Sequence, residues 1–187
     1  MNEMTRDSLI ARIAAGERFD FFFFWGHTPK APGTVDRSCL SQWFASPFTV
    51  DDVSYPTAEH FMMSEKARLF DDVGSLERIL AASTPAEAKS LGREVTPFEP
   101  ARWAAARFDA VVRGNVAKFS AHDELKRFLL STGSQVLVEA APRDVVWGIG
   151  LGASNVDATN PSKWRGLNLL GFALMEARAR LTASETT

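Results

Sequence analysis

The helix predicted over residues 57–70 places a carboxylate and an ammonium group on one apolar face. In a helix, the residues three, four, seven and eleven positions after Glu59 share its face. These residues are Met62, Met63, Lys66 and Phe70. Because this is the most apolar stripe of the helix, we expect it to face the interior, where an isolated charge costs on the order of several kcal/mol unless it is paired or lies in a cleft.

Two interpretations of Glu59 and Lys66 are open. In the first, they form a structural ion pair, or the ammonium of Lys66 reaches solvent along its apolar stem. In the second, they line an active site, with Glu59 as acid, base or cation stabiliser and Lys66 as electrostatic group or nucleophile. The helix dipole favours an ionised Glu59 in the first turn, and a partly desolvated lysine can lose its proton near neutral pH and attack a carbonyl carbon.

A glycine-rich loop over residues 142–152 is a second candidate site. Its glycines alternate at positions 148, 150 and 152, which would let backbone amides approach a phosphate. An ordinary turn is the alternative. Asp144 and Trp147 stand beside these glycines, and Trp147 offers a flat face for a base unless it is a core residue.

The long helix predicted over residues 102–119 carries the remaining candidates. Trp103 is either a core residue or a stacking platform, and Gly114–Asn115 lowers the local helix propensity. Close packing of another helix is the favoured reason for that pair, and a ligand is the alternative. Arg102, Arg107 and Arg113 are within reach of a phosphate, although a solvated helix face accounts for most such residues.

The elements that must position these groups are mostly helical. Further helices are predicted over residues 7–13, 76–82, 123–130 and 169–181. Thr84–Pro85 followed by Glu87 begins another, with a capping box, and Gly92 ends it. Strands are predicted over residues 21–24, buried on both faces, and over 135–140, 145–147 and the hairpin 48–55, whose turn is at Asp51–Asp52. The fold class is therefore α+β: a compact, mostly helical single domain with a few short strands.

Composition narrows the class of protein. The 187 residues carry a formal net charge of −2, which argues against affinity from general phosphate neutralisation. The single cysteine, Cys39, excludes an intramolecular disulfide, and three scattered histidines form no metal-ligand cluster. We find no apolar run of about 18 residues that would span a membrane and no signal peptide. A cytoplasmic protein without a metal or cofactor is expected.

Several segments resemble the NADAR family, the YbiA-like N-glycosidases, in order and spacing. The strongest is Tyr55–Pro56–Thr57–Ala58–Glu59–His60–Phe61, with Lys66 at the family's distance. Gln42 departs from the asparagine expected in many relatives. The supporting segments are residues 40–44, 88–93, 117–119, 147–150 and 166–175.

The resemblance implies one N-glycosidase domain over residues 1–187, with its core over about 20–181 and no metal. It implies cleavage between a base and a ribose phosphate through a Schiff base on Lys66, with Glu59 as acid/base or positioning partner. Asp144 becomes the candidate for orienting ribose or assisting the leaving base. The residues expected to bind substrate are Trp103 and Trp147 around the base, Gly148 and Gly150 at the phosphate, and Lys118 and Asn168.

Two substrate classes follow from the resemblance. One is ADP-ribose on guanine in nucleic acid, which we favour, so that ADP-ribose and ADP-ribosylated DNA are the expected partners. The other is a phosphoribosyl intermediate of riboflavin synthesis. A non-catalytic ADP-ribose or nucleotide-binding module, which would not use Lys66, is the alternative of a different class.

Overall fold

A computed structural model describes residues 4–185, and helices dominate them. The predicted α+β class is confirmed. The helices are α1 (Arg6–Ala14), α2 (Ala58–Leu69), α3 (Val73–Ala81), α4 (Pro85–Glu94), α5 (Pro100–Ser120), α6 (Asp123–Ser131) and α7 (Leu169–Glu185), and the strands are β1 (Phe21–Phe24), β2 (Phe48–Val50), β3 (Val53–Tyr55) and β4 (Val136–Glu139). Short 3-10 helices occupy Arg37–Leu40 and Pro161–Lys163. None of the helices in residues 4–185 has the length and apolar character to cross a membrane.

Contacts divide the chain into two compact units. The central unit comprises Gln42–Asp123, and the terminal unit comprises the chain up to Ser41 together with the chain from Glu124 onward. The Glu59–Lys66 stripe therefore belongs to the central unit and the glycine-rich loop to the terminal unit.

The terminal unit is built on a parallel pair of strands. β1 pairs with β4 in a register that runs from Phe21 opposite Val136 to Phe24 opposite Glu139, and α7 packs on β4. The expectation that β1 is buried on both faces is wrong for most of the strand. Phe24 is buried, but the three preceding phenylalanines are half-buried, so the elements that pack on the faces of β1 cover these three rings only in part.

The central unit joins a hairpin to four helices. β2 and β3 pair antiparallel, with Phe48 opposite Tyr55. The turn falls at the two predicted aspartates, and both adopt positive φ (51° and 61°), as a tight two-residue hairpin turn requires. Helix α2 packs against α3, α4 and α5. At its start, the Phe61 ring lies edge-on to Tyr55 with centroids 5.0 Å apart.

Two local predictions are wrong for identifiable reasons. Residues 145–147 form a bend rather than a strand, because the Asp144 side chain accepts hydrogen bonds from the backbone N–H groups of Val146 and Trp147. Helix α4 does not end at Gly92 but continues to Glu94. Gly92 is there for packing, since a Cβ on it would collide with the side chain of Met63.

Candidate active site

The predicted interior stripe of α2 is confirmed. Glu59 is 2% exposed and Lys66 is 8% exposed, and the apolar members of the stripe are buried with them. Thr57 caps the helix by accepting a hydrogen bond from the backbone N–H of His60. A carboxylate and an ammonium group are thus held in the interior of the central unit by a regular, well-capped helix.

Lys66 is held by one hydrogen bond and one aromatic ring. Its Nζ donates to the backbone carbonyl of Gly92 at 2.6 Å and lies 4.1 Å from the centroid of the Phe98 ring. Burial lowers the pKa of the Lys66 ammonium, because desolvation disfavours the charged form. Within residues 4–185 Lys66 forms no ion pair. Glu59 and Lys66 therefore do not form the structural ion pair of the first interpretation.

A buried amide pair connects the start of α2 to α5. The backbone N–H of Glu59 donates to the carbonyl of Gln42 at 2.9 Å. The side-chain oxygen of Gln42 accepts a 2.9 Å hydrogen bond from Asn115, which also donates to the Val111 carbonyl. Gln42 and Asn115 are 5% and 0% exposed. These two residues fix the backbone from which Glu59 projects.

Sequence reasoning missed Gln42 and Asn115 as members of the site. The available signal was an asparagine in the apolar part of a long helix. For the neighbouring Gly114, the favoured packing explanation is confirmed, since a Cβ there would lie 2.6 Å from the Phe61 ring.

Lys118 is a further buried ionisable residue of the central unit. It lies three residues after Asn115, on the same face of α5, and is 0% exposed. Its ammonium nitrogen lies 5.7 Å from the centroid of the Phe44 ring and 5.1 Å from that of Phe119.

Trp103 lies elsewhere on the central unit. It is half-buried and lines a groove with Glu65, Arg68 and Arg113. Neither Glu59 nor Lys66 lines that groove. The prediction that Trp103 stacks on a substrate base together with Trp147 stays a prediction.

The glycine-rich loop of the terminal unit uses its amides internally. Asp144 Oδ1 accepts the N–H groups of Val146 and Trp147 at 2.9 and 2.7 Å. The N–H of Ile149 donates to the Glu139 carbonyl, and that of Gly150 donates to the Asp144 carbonyl. These four amides are unavailable to a phosphate, so the cradle predicted at Gly148 and Gly150 is not formed by them.

Packing accounts for two of the three glycines of this loop. A Cβ on Gly148 would lie 2.9 Å from the Ala141 side chain, and one on Gly150 would lie 2.8 Å from Arg165. Gly150 also has a φ of +68°, which glycine adopts without strain. The ordinary-turn alternative is thus favoured, with Trp147 half-buried beside it.

Asn168 is a clamp between the loop that precedes α7 and strand β4. Its Oδ1 accepts the Glu139 N–H at 2.9 Å, and its Nδ2 donates to the Leu137 carbonyl at 2.9 Å. The residue is 0% exposed and has a φ of +57°. Packing explains Asn168 fully, and its contact with substrate stays a prediction.

The predicted site residues therefore fall into two sets. The central unit holds Glu59, Lys66, Trp103 and Lys118, and the terminal unit holds Asp144, Trp147, Gly148, Gly150 and Asn168.

Comparison with known proteins identifies relatives over most of the chain. The NADAR domain family model matches residues 23–182. An N-glycosidase of Acanthamoeba polyphaga mimivirus is 39% identical over 163 residues, covering 84% of this chain and 94% of that protein. N-glycosidase YbiA of Escherichia coli (strain K12) is 32% identical over 146 residues, covering 78% and 82%. These names support N-glycosidase activity, a hydrolase function, for this chain.

A solved structure supports the same assignment at the level of the fold. The NMR structure of the Escherichia coli protein YbiA superposes with a TM-score of 0.72 at 28% sequence identity. The match covers 91% of this chain and 89% of that one.

Proposed function

The chain belongs to the NADAR domain family, and we propose that it is an N-glycosidase that removes ADP-ribose from ADP-ribosylated guanine in DNA. The observation that carries the proposal is the state of Lys66: a lysine that is 8% exposed, has a lowered pKa and forms no ion pair within the described residues. Such a lysine is a better nucleophile than one in water, because more of it is the neutral amine at a given pH.

The proposed reaction begins at the anomeric carbon. The neutral amine of Lys66 attacks C1′, and the bond from C1′ to the guanine nitrogen breaks with its electron pair going to the base. The base takes up a proton from a general acid as it leaves. The new C1′–N bond becomes an imine when the ribose ring opens and its oxygen is protonated. Water then adds to C1′, which releases ADP-ribose and restores the amine of Lys66.

Glu59 is the proposed partner in these steps. Positive charge develops at C1′ as the glycosidic bond breaks, and a nearby carboxylate stabilises it. Glu59 lies in the first turn of α2, where the helix dipole interacts favourably with a negative charge, and the Gln42 carbonyl fixes the backbone from which it projects. The same carboxylate is proposed to accept the proton that Lys66 Nζ loses on bonding to C1′ and to give it to the departing base, and later to accept a proton from the attacking water.

Residues of the terminal unit are proposed to act in binding. Trp147 supplies a flat indole face for a base, and Asp144 is the candidate for orienting ribose. Asp144 Oδ1 holds the loop itself, so a contact to ribose would fall to its other carboxylate oxygen. Trp147→Ala is expected to raise KM more than it lowers kcat if the indole binds substrate.

The proposal is tested by incubating the protein with guanine-ADP-ribosylated DNA and identifying both products by mass spectrometry. We expect free ADP-ribose and unmodified guanine from the wild type and neither from Glu59→Gln or Lys66→Ala. Lys163→Ala, which removes an exposed lysine, is the matched control and should retain activity. Unchanged activity in both site variants would overturn the site assignment.

Other outcomes separate the alternatives. If modified DNA survives intact while a phosphoribosyl pyrimidine intermediate of riboflavin synthesis is cleaved, the substrate is a small phosphoribosyl compound and not ADP-ribosylated DNA. Tight binding of ADP-ribose without cleavage of either substrate would instead indicate a non-catalytic reader.

A further inference from the structure

A groove on the central unit lies on a different face of α2 from the Glu59 stripe. Arg68, which lines it, is nine residues after Glu59 and so about 180° away around the helix. The groove has a volume of about 410 Å³ and runs between α2 and α5. We call it the Trp103 groove. Its lining includes Glu65, Arg68, Leu69, Trp103, Asp109 and Arg113.

Two arginines on the rim of the Trp103 groove are held in place by one carboxylate. Glu65 accepts hydrogen bonds from Arg68 Nη1 at 2.8 Å and from Arg113 Nη2 at 2.6 Å. Arg68 also donates to the hydroxyl of Tyr55 at 2.8 Å. The guanidinium of Arg113 lies 5.2 Å from the centroid of the Phe61 ring. The side chains are therefore ordered before any ligand arrives, which lowers the entropic cost of binding.

The arginines keep donor capacity for a ligand. A guanidinium has five N–H donors. Among the residues that the structure describes, Arg113 donates to Glu65 alone, and its side chain is 52% exposed. The remaining N–H groups of Arg113 are thus available to an anion on the rim.

The Trp103 groove places an indole beside arginine N–H donors, which favours a nucleotide. Arg102, directly before Trp103 in the chain, has its guanidinium 5.4 Å from the Phe70 ring centroid. Among the residues that line the groove, Arg68 and Arg113 match the carboxylates of Glu65 and Asp109 in number, and Glu65 is the carboxylate that both arginines share. The Trp103 indole supplies a flat wall beside these cations, and a base stacked on an aromatic ring next to a bound phosphate is how single strands are held.

We propose that the Trp103 groove binds one nucleotide of a single-stranded nucleic acid, with the base on Trp103 and the phosphate on Arg113 and Arg68. This rests on the proposed function and narrows it: the substrate is a polynucleotide that contacts the protein away from the modified base. Asp109 is exposed on the rim and opposes the phosphate, so its removal should tighten binding.

The test uses an unmodified, fluorescently labelled single-stranded oligonucleotide, so that binding is measured without any cleavage. We expect Trp103→Ala and Arg113→Ala each to weaken binding about tenfold, Trp103→Phe to weaken it less, and Asp109→Asn to strengthen it severalfold. Arg113→Ala should also reduce the salt dependence of binding. Trp25→Ala and Arg127→Ala remove a 64% exposed tryptophan and a 75% exposed arginine side chain of the terminal unit, and they should bind as the wild type does.

Measuring binding and cleavage separately distinguishes an error in the proposed groove from an error in the proposed reaction. Wild-type affinity in both Trp103→Ala and Arg113→Ala would overturn the groove whatever the enzyme cleaves. Cleavage of an ADP-ribosylated guanine mononucleotide, together with no oligonucleotide binding, would overturn the groove and leave the N-glycosidase intact. Groove-dependent binding of the oligonucleotide without any cleavage would support the groove and contradict the proposed reaction. Comparing the affinities for DNA and RNA oligonucleotides of the same sequence shows which of the two nucleic acids the groove prefers.

Discussion

The ammonium nitrogen of Lys66 donates a 2.6 Å hydrogen bond to the backbone carbonyl oxygen of Gly92. Gly92 lies two residues before the end of α4, so its carbonyl is one of the four that lack an intrahelical partner. A cation at this end also interacts favourably with the helix dipole. The contact stabilises the fold, and it must break before the nitrogen attacks a substrate, so the two roles can be measured separately.

Replacing Lys66 by methionine should separate catalysis from stability. Lys66→Met removes the nucleophile and should abolish cleavage. The lost hydrogen bond is offset by removal of a desolvated charge, so the free energy of unfolding should change by less than about 1 kcal/mol. Urea denaturation of the variant and the wild type gives this number. A loss of several kcal/mol would show that the lysine is chiefly structural.

Gly92→Ala should disturb the hydrogen bond between Lys66 and the Gly92 carbonyl by moving the acceptor. The added Cβ would lie 2.8 Å from Met63 Cγ and collide with its sulfur, so α4 must shift and carry the Gly92 carbonyl away from Lys66. We expect a loss of about 1–3 kcal/mol, as for other overpacked cores, together with reduced activity.

Gly74→Ala is the matched control for that variant. Gly74 lies in α3, where a Cβ would meet nothing closer than Asp72 Oδ1 at 3.9 Å. Alanine should therefore stabilise this helix by up to about 1 kcal/mol. Equal destabilisation in the two variants would contradict the packing account of Gly92.

His60 should make stability depend on pH. Its Nδ1 lies 2.8 Å from Thr57 Oγ1 and its Nε2 lies 3.2 Å from the Ala82 carbonyl, and burial lowers its pKa. The unfolded chain therefore binds more protons below about pH 6.5. The His60 contribution to stability is present above that pH and is lost as the pH falls through the lowered folded pKa.

A comparison with His60→Gln isolates this effect from the other titrating groups. The variant should be less stable than the wild type near neutral pH, and it should lose less stability between about pH 7.5 and pH 5. Parallel stability curves for the two proteins would contradict a neutral His60 in the fold.

The patterns that the sequence predicts correctly are local ones. The α2 stripe follows from helical spacing, and the β2–β3 turn follows from two aspartates between β-forming residues. What escaped prediction depends on partners far along the chain. Gly92 lies inside α4 with the Met63 side chain packed on it. Gln42 accepts a hydrogen bond from Asn115, which is 73 residues later in the chain.

Asn168 illustrates the same limit in the terminal unit. Its family-like surroundings suggested a ligand contact, but both of its side-chain polar atoms bond to β4, about 30 residues earlier in the chain. Spacing alone does not reveal such a clamp. A binding residue and a buried clamp both appear in the sequence as a polar residue among apolar ones.

The clamp account predicts a specific cost. Asn168→Ala loses two buried hydrogen bonds, worth about 1 kcal/mol each, and places alanine at a positive φ that costs about 1 kcal/mol more. Asn168→Gly relieves the backbone strain but not the lost hydrogen bonds, so it should be the less destabilised of the two. Thermal denaturation of both variants checks the order. The reverse order would contradict the cost of the positive φ, and a wild-type stability in Asn168→Gly would contradict the clamp.

The central claim is that Lys66 attacks the anomeric carbon, and trapping with sodium borohydride tests it most directly. The protein is mixed with guanine-ADP-ribosylated DNA, the imine is reduced during turnover, and the digested protein is sequenced by mass spectrometry. We expect a stable ribose adduct on the peptide that contains Lys66 and none in Lys66→Met. An adduct on another lysine, or full cleavage by Lys66→Met, would contradict this claim.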